Sequence, residues 1–424
     1  MPAPATGRPG PTARARVPLS VGSGTRARAW ANEASPALTV LRPGKRHARR
    51  VYRTTVGTVT VAQNPALRSL VCLRCGTHHP VGDLPRGCPA CLANGTPANV
   101  ACVYEPAGGT SGGVQLPYTV PFTLGEGRTP LLRADIDLDV DLRLKWEGAN
   151  PTGSHKDRFS AFAVARALHA GYRAVAAASS GNAGVSLAAY CGRAGLGCEI
   201  AVTDDIPGRV ATLMRDLGAH VVSFPEAAAR WRHLAAHVGS PTVLPVTNFQ
   251  LPPVGSSAFG IEGYKALAAE ILTDLAGAWP DWVVVPTSRG DLAWGMYLGF
   301  REVCGERPVP RLCLVEPYPR VSAVLDGADP YGEFPGRTVV MPSIGGNSVA
   351  LQAVEAVRRS GGRAQVVDDD TVNAETHRLW RTGLPLEPSS AAALVAVADA
   401  RVSGAIEPGS LVVAVATAHG LKGM

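Results

Sequence analysis

Lys145-Trp-Glu-Gly-Ala-Asn-Pro-Thr-Gly-Ser-His-Lys156-Asp-Arg158 joins a short apolar strand, through a Pro/Gly turn, to the start of an amphipathic helix. A lysine in that first helical turn lies beside the positive end of the helix dipole and is partly desolvated. Both effects lower its pKa and suit it to forming a Schiff base. A lysine at a helix start is also an ordinary position for a solvated surface residue, so the segment has to be weighed with what surrounds it.

Outward from it, short apolar runs alternate with amphipathic stretches of 12–18 residues. Strands are expected at Leu142–Glu147, Ala174–Ser179, Glu199–Thr203, His220–Phe224, Trp282–Thr287, Arg311–Glu316, Ala364–Val367 and Leu411–Ala416. Helical spacing recurs over Arg158–Ala170, Ala183–Arg193, Gly208–Leu217, Glu262–Leu275 and Ser389–Arg401. Continuous apolar strands alternating with helices imply an α/β body whose parallel sheet is covered on both faces.

Three more loops follow expected strands. Ser179-Ser180-Gly181-Asn182-Ala183-Gly184 opens a helix and offers hydroxyls and amides suited to a carboxylate or phosphate, although a plain N-cap would look alike. Pro286-Thr-Ser288-Arg289-Gly290-Asp291 does the same, with Ser288 and Arg289 added to the amides as phosphate ligands. The last strand ends at Thr417, before Ala-His-Gly-Leu-Lys422. All four loops leave strand C-termini, the edge at which open parallel sheets bind ligands.

Two further features bound the reading. Cys72-Leu-Arg-Cys75 and Cys88-Pro-Ala-Cys91, twelve residues apart, have the spacing of two knuckles that close a tetrahedral, structural Zn²⁺ site; two disulfides or four free thiols are the alternatives. The formal charge of +7 over 424 residues is uneven. Residues 1–55 hold eleven Lys and Arg against one acid, which leaves the other 369 residues at −3 and argues against a nucleic-acid partner for the body. The Ala/Pro/Gly/Arg-rich start is expected to be disordered, as a dispensable or misassigned start, a solvated basic tail or an Arg-rich transit peptide. No apolar run reaches the length of a membrane span, so no membrane partner is expected.

The series Leu124-Gly-Glu-Gly-Arg-Thr-Pro-Leu131, Asn150-Pro-Thr-Gly-Ser-His-Lys156-Asp-Arg158, Ser179-Ser-Gly-Asn182-Ala-Gly, Glu262-Gly-Tyr-Lys265, Glu387-Pro-Ser-Ser-Ala391 and Thr417-Ala-His-Gly-Leu-Lys422 resembles threonine synthase and its relatives over about residues 68–424. These are pyridoxal-phosphate enzymes of the tryptophan synthase β-subunit fold, fold type II. The resemblance implies two parallel or mixed-sheet α/β subdomains in residues 106–424, the smaller, mobile one at about 160–258. It also implies a zinc ribbon in residues 61–105 after a tail of residues 1–60. By the same resemblance Lys156 carries the cofactor and shuttles protons, Asn182 bonds its 3′-oxygen, and Thr417 faces its pyridine nitrogen. Ser288, Arg289, Gly290 and Asp291 hold its phosphate, and Ser154, Ser179, Ser180, Gly181 and Ala183 receive the amino-acid substrate. A cytoplasmic homodimer is the implied setting.

The activity implied is conversion of O-phosphohomoserine and water to threonine and phosphate, or else a β- or γ-replacement or deamination on another amino acid. The second option arises because Gly260 stands where the family places a phosphate-binding arginine. Ser256, Ser257, Ser154, Lys145 and Arg158 are the candidates to replace that arginine. Arg289 stands in a phosphate loop that is usually richer in Gly or Asn.

Overall fold

The computed structural model describes residues 60–105, 113–134 and 138–423, and the basic segment 1–55 lies outside them. The described residues form one compact unit. It contains three sheets. A small antiparallel sheet is made of β1 (Leu67–Cys72), β2 (His78–His79) and β3 (Val100–Tyr104) in the order β2-β1-β3. The largest contains β4 (Leu131–Arg133), β5 (Asp141–Trp146), β10 (Trp282–Pro286), β11 (Arg311–Glu316), β12 (Arg363–Val366) and β13 (Leu411–Ala416). Its order is β12-β11-β10-β13-β5-β4, parallel except for β4. Between β5 and β10 the chain builds a second parallel sheet from β6 (Ala174–Ala178), β7 (Gly197–Thr203), β8 (His220–Phe224) and β9 (Val243–Pro245), in the order β8-β7-β6-β9.

Both faces of the large sheet are dry at its central strands β10, β11 and β13, which explains their nearly unbroken apolar runs. Val283, Val285, Leu312, Leu314, Val413 and Val415 pack toward one helical layer. Their neighbours Val284, Cys313, Val412 and Ala414 pack toward the other, where the helix Pro388–Val402 lies. Crossover connections then bring Trp146, Ala178, Pro286 and Ala416 to the same kind of edge, the C-terminal ends of parallel strands.

The helix Lys156–His169 is buried from Asp157 to Ala167, although it contains Arg158 and Arg166. Burying a guanidinium is costly unless its charge is matched. Arg158 is matched twice. It donates from Nε and Nη2 to Glu147 at 2.7 and 2.8 Å, and from Nη1 and Nη2 to Glu270 at 2.7 Å each. Those bonds hold the Glu270 carboxyl at about 2, against the burial that raises it. Lys145, itself fully buried, donates to Asp274 at 2.8 Å and to the Thr129 carbonyl at 2.7 Å, and lies 3.2 Å from Glu270. Neither cation is available to a substrate, which removes two of the candidates for the role left by Gly260. Gly260 is a packing position: a Cβ there would lie 2.3 Å from the Phe159 ring. Gly263 has the same character, since its Cβ would lie 2.0 Å from the Arg158 carbonyl oxygen.

The cysteine-bearing sheet shares its core with the body. Polar ties reinforce it: Tyr104 donates to Glu262 at 2.7 Å, Glu262 pairs with Lys265 at 2.7 Å, and the Asn99 amide donates to the Ser256 carbonyl at 3.0 Å. No helix among the described residues is long and apolar enough to cross a membrane.

Candidate active site

Lys156 is the first residue of its helix, and the loop before it is pinned to the C-terminal loop. The His155 amide donates to the Thr417 carbonyl at 2.9 Å, the His419 amide donates to the Gly153 carbonyl at 2.9 Å, and Ser154 bridges to Ala418. The Lys156 amine has no hydrogen bond or ion pair among the described residues, and its nearest ring is Tyr264, 5.9 Å away. It is partly reached by solvent yet densely surrounded. Burial depresses its pKa, and the more distant Asp291 and Glu387 offset this only in part. Its neighbour His155 is pushed well below the ordinary histidine value, first by burial and then by Lys156. That imidazole is therefore neutral at pH 7 and adds no charge beside the amine.

Thr417 directly follows β13, and its hydroxyl lies 3.0 Å from the Ser390 hydroxyl. Ser390 also accepts from the Ala418 amide at 2.8 Å. Asn182 opens the helix Asn182–Ala194, and its amide donates to Glu387 at 2.8 Å. Glu387 precedes the helix Pro388–Val402 and also accepts from Ser343 at 2.7 Å, so it bridges the two parallel sheets' loops. The Ser154 hydroxyl is fully buried with no partner. A buried orphan hydroxyl costs free energy unless a ligand meets it, and it lies two residues from the free amine.

The Ser179–Ala183 loop uses its side chains internally. Ser179 accepts from the Gly184 amide at 3.0 Å, and Ser180 lies 3.1 Å from the Thr203 hydroxyl. What it can offer a ligand is backbone: the first amides of a helix, here those of Asn182 and Ala183, have no acceptor within the helix. Ser180 also accepts from Arg230 Nη1 at 3.1 Å. Arg230 comes from the helix Ala227–Ala235, has a buried Nε without a partner, and forms no ion pair among the described residues.

In the 287–291 loop Gly290 has φ +91°, and a Cβ there would meet Ala353 at 2.4 Å. Arg320, fully buried, donates to the Thr287 carbonyl at 2.9 Å and the Ser288 carbonyl at 3.3 Å, and so fixes the loop from behind. Arg289 stacks on Trp231 at 5.3 Å and donates to Ser348 at 3.4 Å. Burial lowers its pKa to about 10; Asp291 opposes the fall, and Arg230 and Arg320 add to it. A guanidinium in that position gains from an anion. The Asp291 carboxylate is engaged elsewhere, accepting from Ser256 Oγ at 2.6 Å and from Gln352.

Free amine, orphan hydroxyl, helix-start amides and the arginines Arg230 and Arg289 thus stand on the loops that follow the parallel strands, a donor set that fits an aldehyde-bearing phosphate and an amino acid. Sequence reading had not singled out Arg230, Arg320, Tyr264, Glu387 and Ser390 as site residues. Glu387, Ser390 and Tyr264 fall inside motifs that carried the family resemblance, which was the available signal for those three.

In the cysteine sheet, the Cys72 and Cys91 sulfurs are 3.6 Å apart and those of Cys75 and Cys88 3.8 Å, with all four thiols free and within 4.8 Å of one another. Bonds of 2.3 Å to a tetrahedral zinc place sulfurs about 3.8 Å apart. The set fits Zn²⁺.

The fold and cleft define a class. Residues 122–418 match the family of pyridoxal-phosphate dependent enzymes, and the chain belongs to it. Among its relatives, the threonine synthase of Bacillus sp. (strain ULM1) is 34% identical over 316 residues, covering 72% of this chain and 86% of the relative. Threonine synthase of Mycobacterium bovis is also 34% identical, covering 71% and 84%, and that of Methanocaldococcus jannaschii 31%, covering 71% and 76%. In structure the chain is similar to maize serine racemase, with a TM-score of 0.60 at 18% identity over 69% of this chain and 88% of that one. It is a fold type II, threonine synthase-like enzyme of the elimination and replacement class.

Proposed function

We propose that this enzyme converts O-phosphohomoserine and water to threonine and phosphate. Arg230 supports that substrate: its guanidinium, bonded to Ser180 but without an ion pair among the described residues and close enough to Arg289 to lower that residue's pKa, restores beside the site the cation that Gly260 lacks. When bound, pyridoxal phosphate supplies the electron sink for proton loss and departure of the leaving group. Lys156 Nζ, free of ion pairs, binds it and carries protons at the substrate carbons. The amides of Asn182 and Ala183 hold the α-carboxylate, and Ser154 meets the bound pair. Ser288, Arg289 and Gly290 hold the cofactor phosphate, with Arg320 keeping their loop in place. The Thr417 hydroxyl, held by Ser390, would serve the cofactor's ring nitrogen and would not protonate it as a carboxylic acid would. Glu387 keeps the Asn182 amide at the cleft.

A charge-assisted bond to a dianion contributes about 1.5–3 kcal/mol. Arg230→Ala is therefore expected to lower kcat/KM for O-phosphohomoserine roughly 10- to 150-fold, mostly through KM, while sparing turnover of an uncharged activated amino acid. Steady-state kinetics on both substrates checks this. Equal losses on both would leave Arg230 without a role in specificity. The alternative reading, replacement or deamination of another amino acid, is favoured by the Phe159 ring that closes the space at Gly260. Aminoacid turnover without phosphate release would select it.

Zn²⁺ on Cys72, Cys75, Cys88 and Cys91 has a structural role in this proposal, because the four sulfurs leave no position for water. Cys91→Ser is expected to lose one equivalent of zinc and to unfold at lower temperature. Elemental analysis with calorimetry tests it, and an unchanged zinc content would rule out this ligand set.

A further inference from the structure

Glu199, His233 and His237 form a second convergence of donors, away from the cysteines and the cleft. Alternation along β7 turns Ile200 toward one helical layer and Glu199 and Ala201 toward the other, where the helix Ala227–Ala235 packs. His233 lies in the last turn of that helix and His237 in the turn that follows it, where the His237 amide donates to the Leu234 carbonyl at 3.0 Å. Both imidazole Nε2 atoms lie 2.8 Å from the same oxygen, Glu199 Oε1. The rings meet edge to face at 5.5 Å, and Phe224 supports His233 at 5.1 Å. His220, at the start of β8, brings a third imidazole, with its Nδ1 3.5 Å from Glu199 Oε2. The three core donors lie within 4.8 Å of one another, and each side chain is between 22% and 31% exposed, enough for an ion to enter.

We propose that Glu199, His233 and His237 bind a divalent transition-metal ion of borderline softness, Zn²⁺ first, with His220 or water completing the tetrahedron. Two nitrogens and one oxygen are a zinc-type set, and bonds of 2.0–2.1 Å put donors about 3.3 Å apart, a widening of about half an ångström from the hydrogen-bonded arrangement. The consequence is mechanical. The helix that supplies His233 also supplies Arg230, bonded to Ser180, and Trp231, stacked under Arg289. A metal that clamps this helix to β7 fixes both residues relative to the active-site loops.

The test uses the untagged, full-length, cofactor-loaded enzyme, washed with a mild chelator that leaves the tetrathiolate zinc in place. Titration with Co²⁺ is expected to bind one equivalent and to give visible d–d absorption without thiolate charge transfer. Amide exchange should slow across residues 227–237 as it binds. His237→Gln and Glu199→Gln should abolish both effects while keeping the cofactor's colour. The proposal is overturned if wild type takes up no cobalt beyond the cysteine site, or if either variant binds as wild type does. Should the variants fail to fold, the wild-type spectrum decides alone: nitrogen/oxygen-type bands support the site, and their absence or a thiolate spectrum refutes it.

Discussion

Lys156→Ala leaves a folded protein that has lost the yellow colour of bound cofactor and on the order of 10³–10⁴-fold or more in kcat. Folding survives because, among the described residues, the amine makes no hydrogen bond or ion pair whose loss would leave a partner stranded. Its removal even relieves a desolvated charge, since burial is what depresses its pKa. Activity does not survive, because no second amine replaces it: Lys422 donates to the Thr152 carbonyl at 2.6 Å, and Lys145 is locked to Asp274. Absorption spectra with single-turnover kinetics check the prediction. Retained colour with near-normal turnover would remove Lys156 from its assigned role.

Arg158→Ala is expected to have the largest effect on stability, about 3–5 kcal/mol. The substitution leaves Glu147, which has no solvent exposure, without its counter-charge, and frees Glu270 beside it. Arg158→Lys is expected to recover only part of this, because a point ammonium cannot serve two carboxylates bidentately. Urea unfolding of both variants measures the effect. A loss under about 1 kcal/mol would mean that the network relaxes or takes up water, and that its carboxylates are not held in charged form by this residue.

The helix–strand alternation was legible because the central strands β10, β11 and β13 of the large sheet are buried on both faces and so show as nearly continuous apolar runs. Val243-Leu-Pro245 escaped, being three residues long and ending in proline, too short for any period to show. The single helix expected over Glu262–Leu275 is in fact Ala258–Glu262, a 3₁₀ turn at Gly263–Lys265 and Ala266–Asp274. The turn tightens where Gly263 passes the Arg158 backbone, a tertiary contact absent from local spacing. In the cleft, the lysine and the loops that follow strands were readable because strand ends and helix starts are local features. Arg230 was not: it lies 74 residues from Lys156 along the chain, and only the order β8-β7-β6-β9 carries its helix to Ser180. Lys145 looked available for the same reason in reverse, since Glu270 and Asp274, which neutralise it, are more than a hundred residues away; Arg158 has one distant partner, Glu270, and one close in sequence, Glu147.

Gly260 changes meaning in the structure. From sequence it is an absent cation; in the fold it is a close contact with Phe159, and the cations beside the cleft, Arg230 and Arg289, come from other elements. The substrate therefore turns on whether those two arginines serve a distal anion. Release of inorganic phosphate and formation of threonine from O-phosphohomoserine by the full-length, cofactor-loaded enzyme measures this most directly. The two products are expected in equal amounts, with turnover lost in Lys156→Ala and weakened at low substrate in Arg230→Ala. No phosphate release by the wild-type enzyme, with its cofactor demonstrably bound, would contradict it.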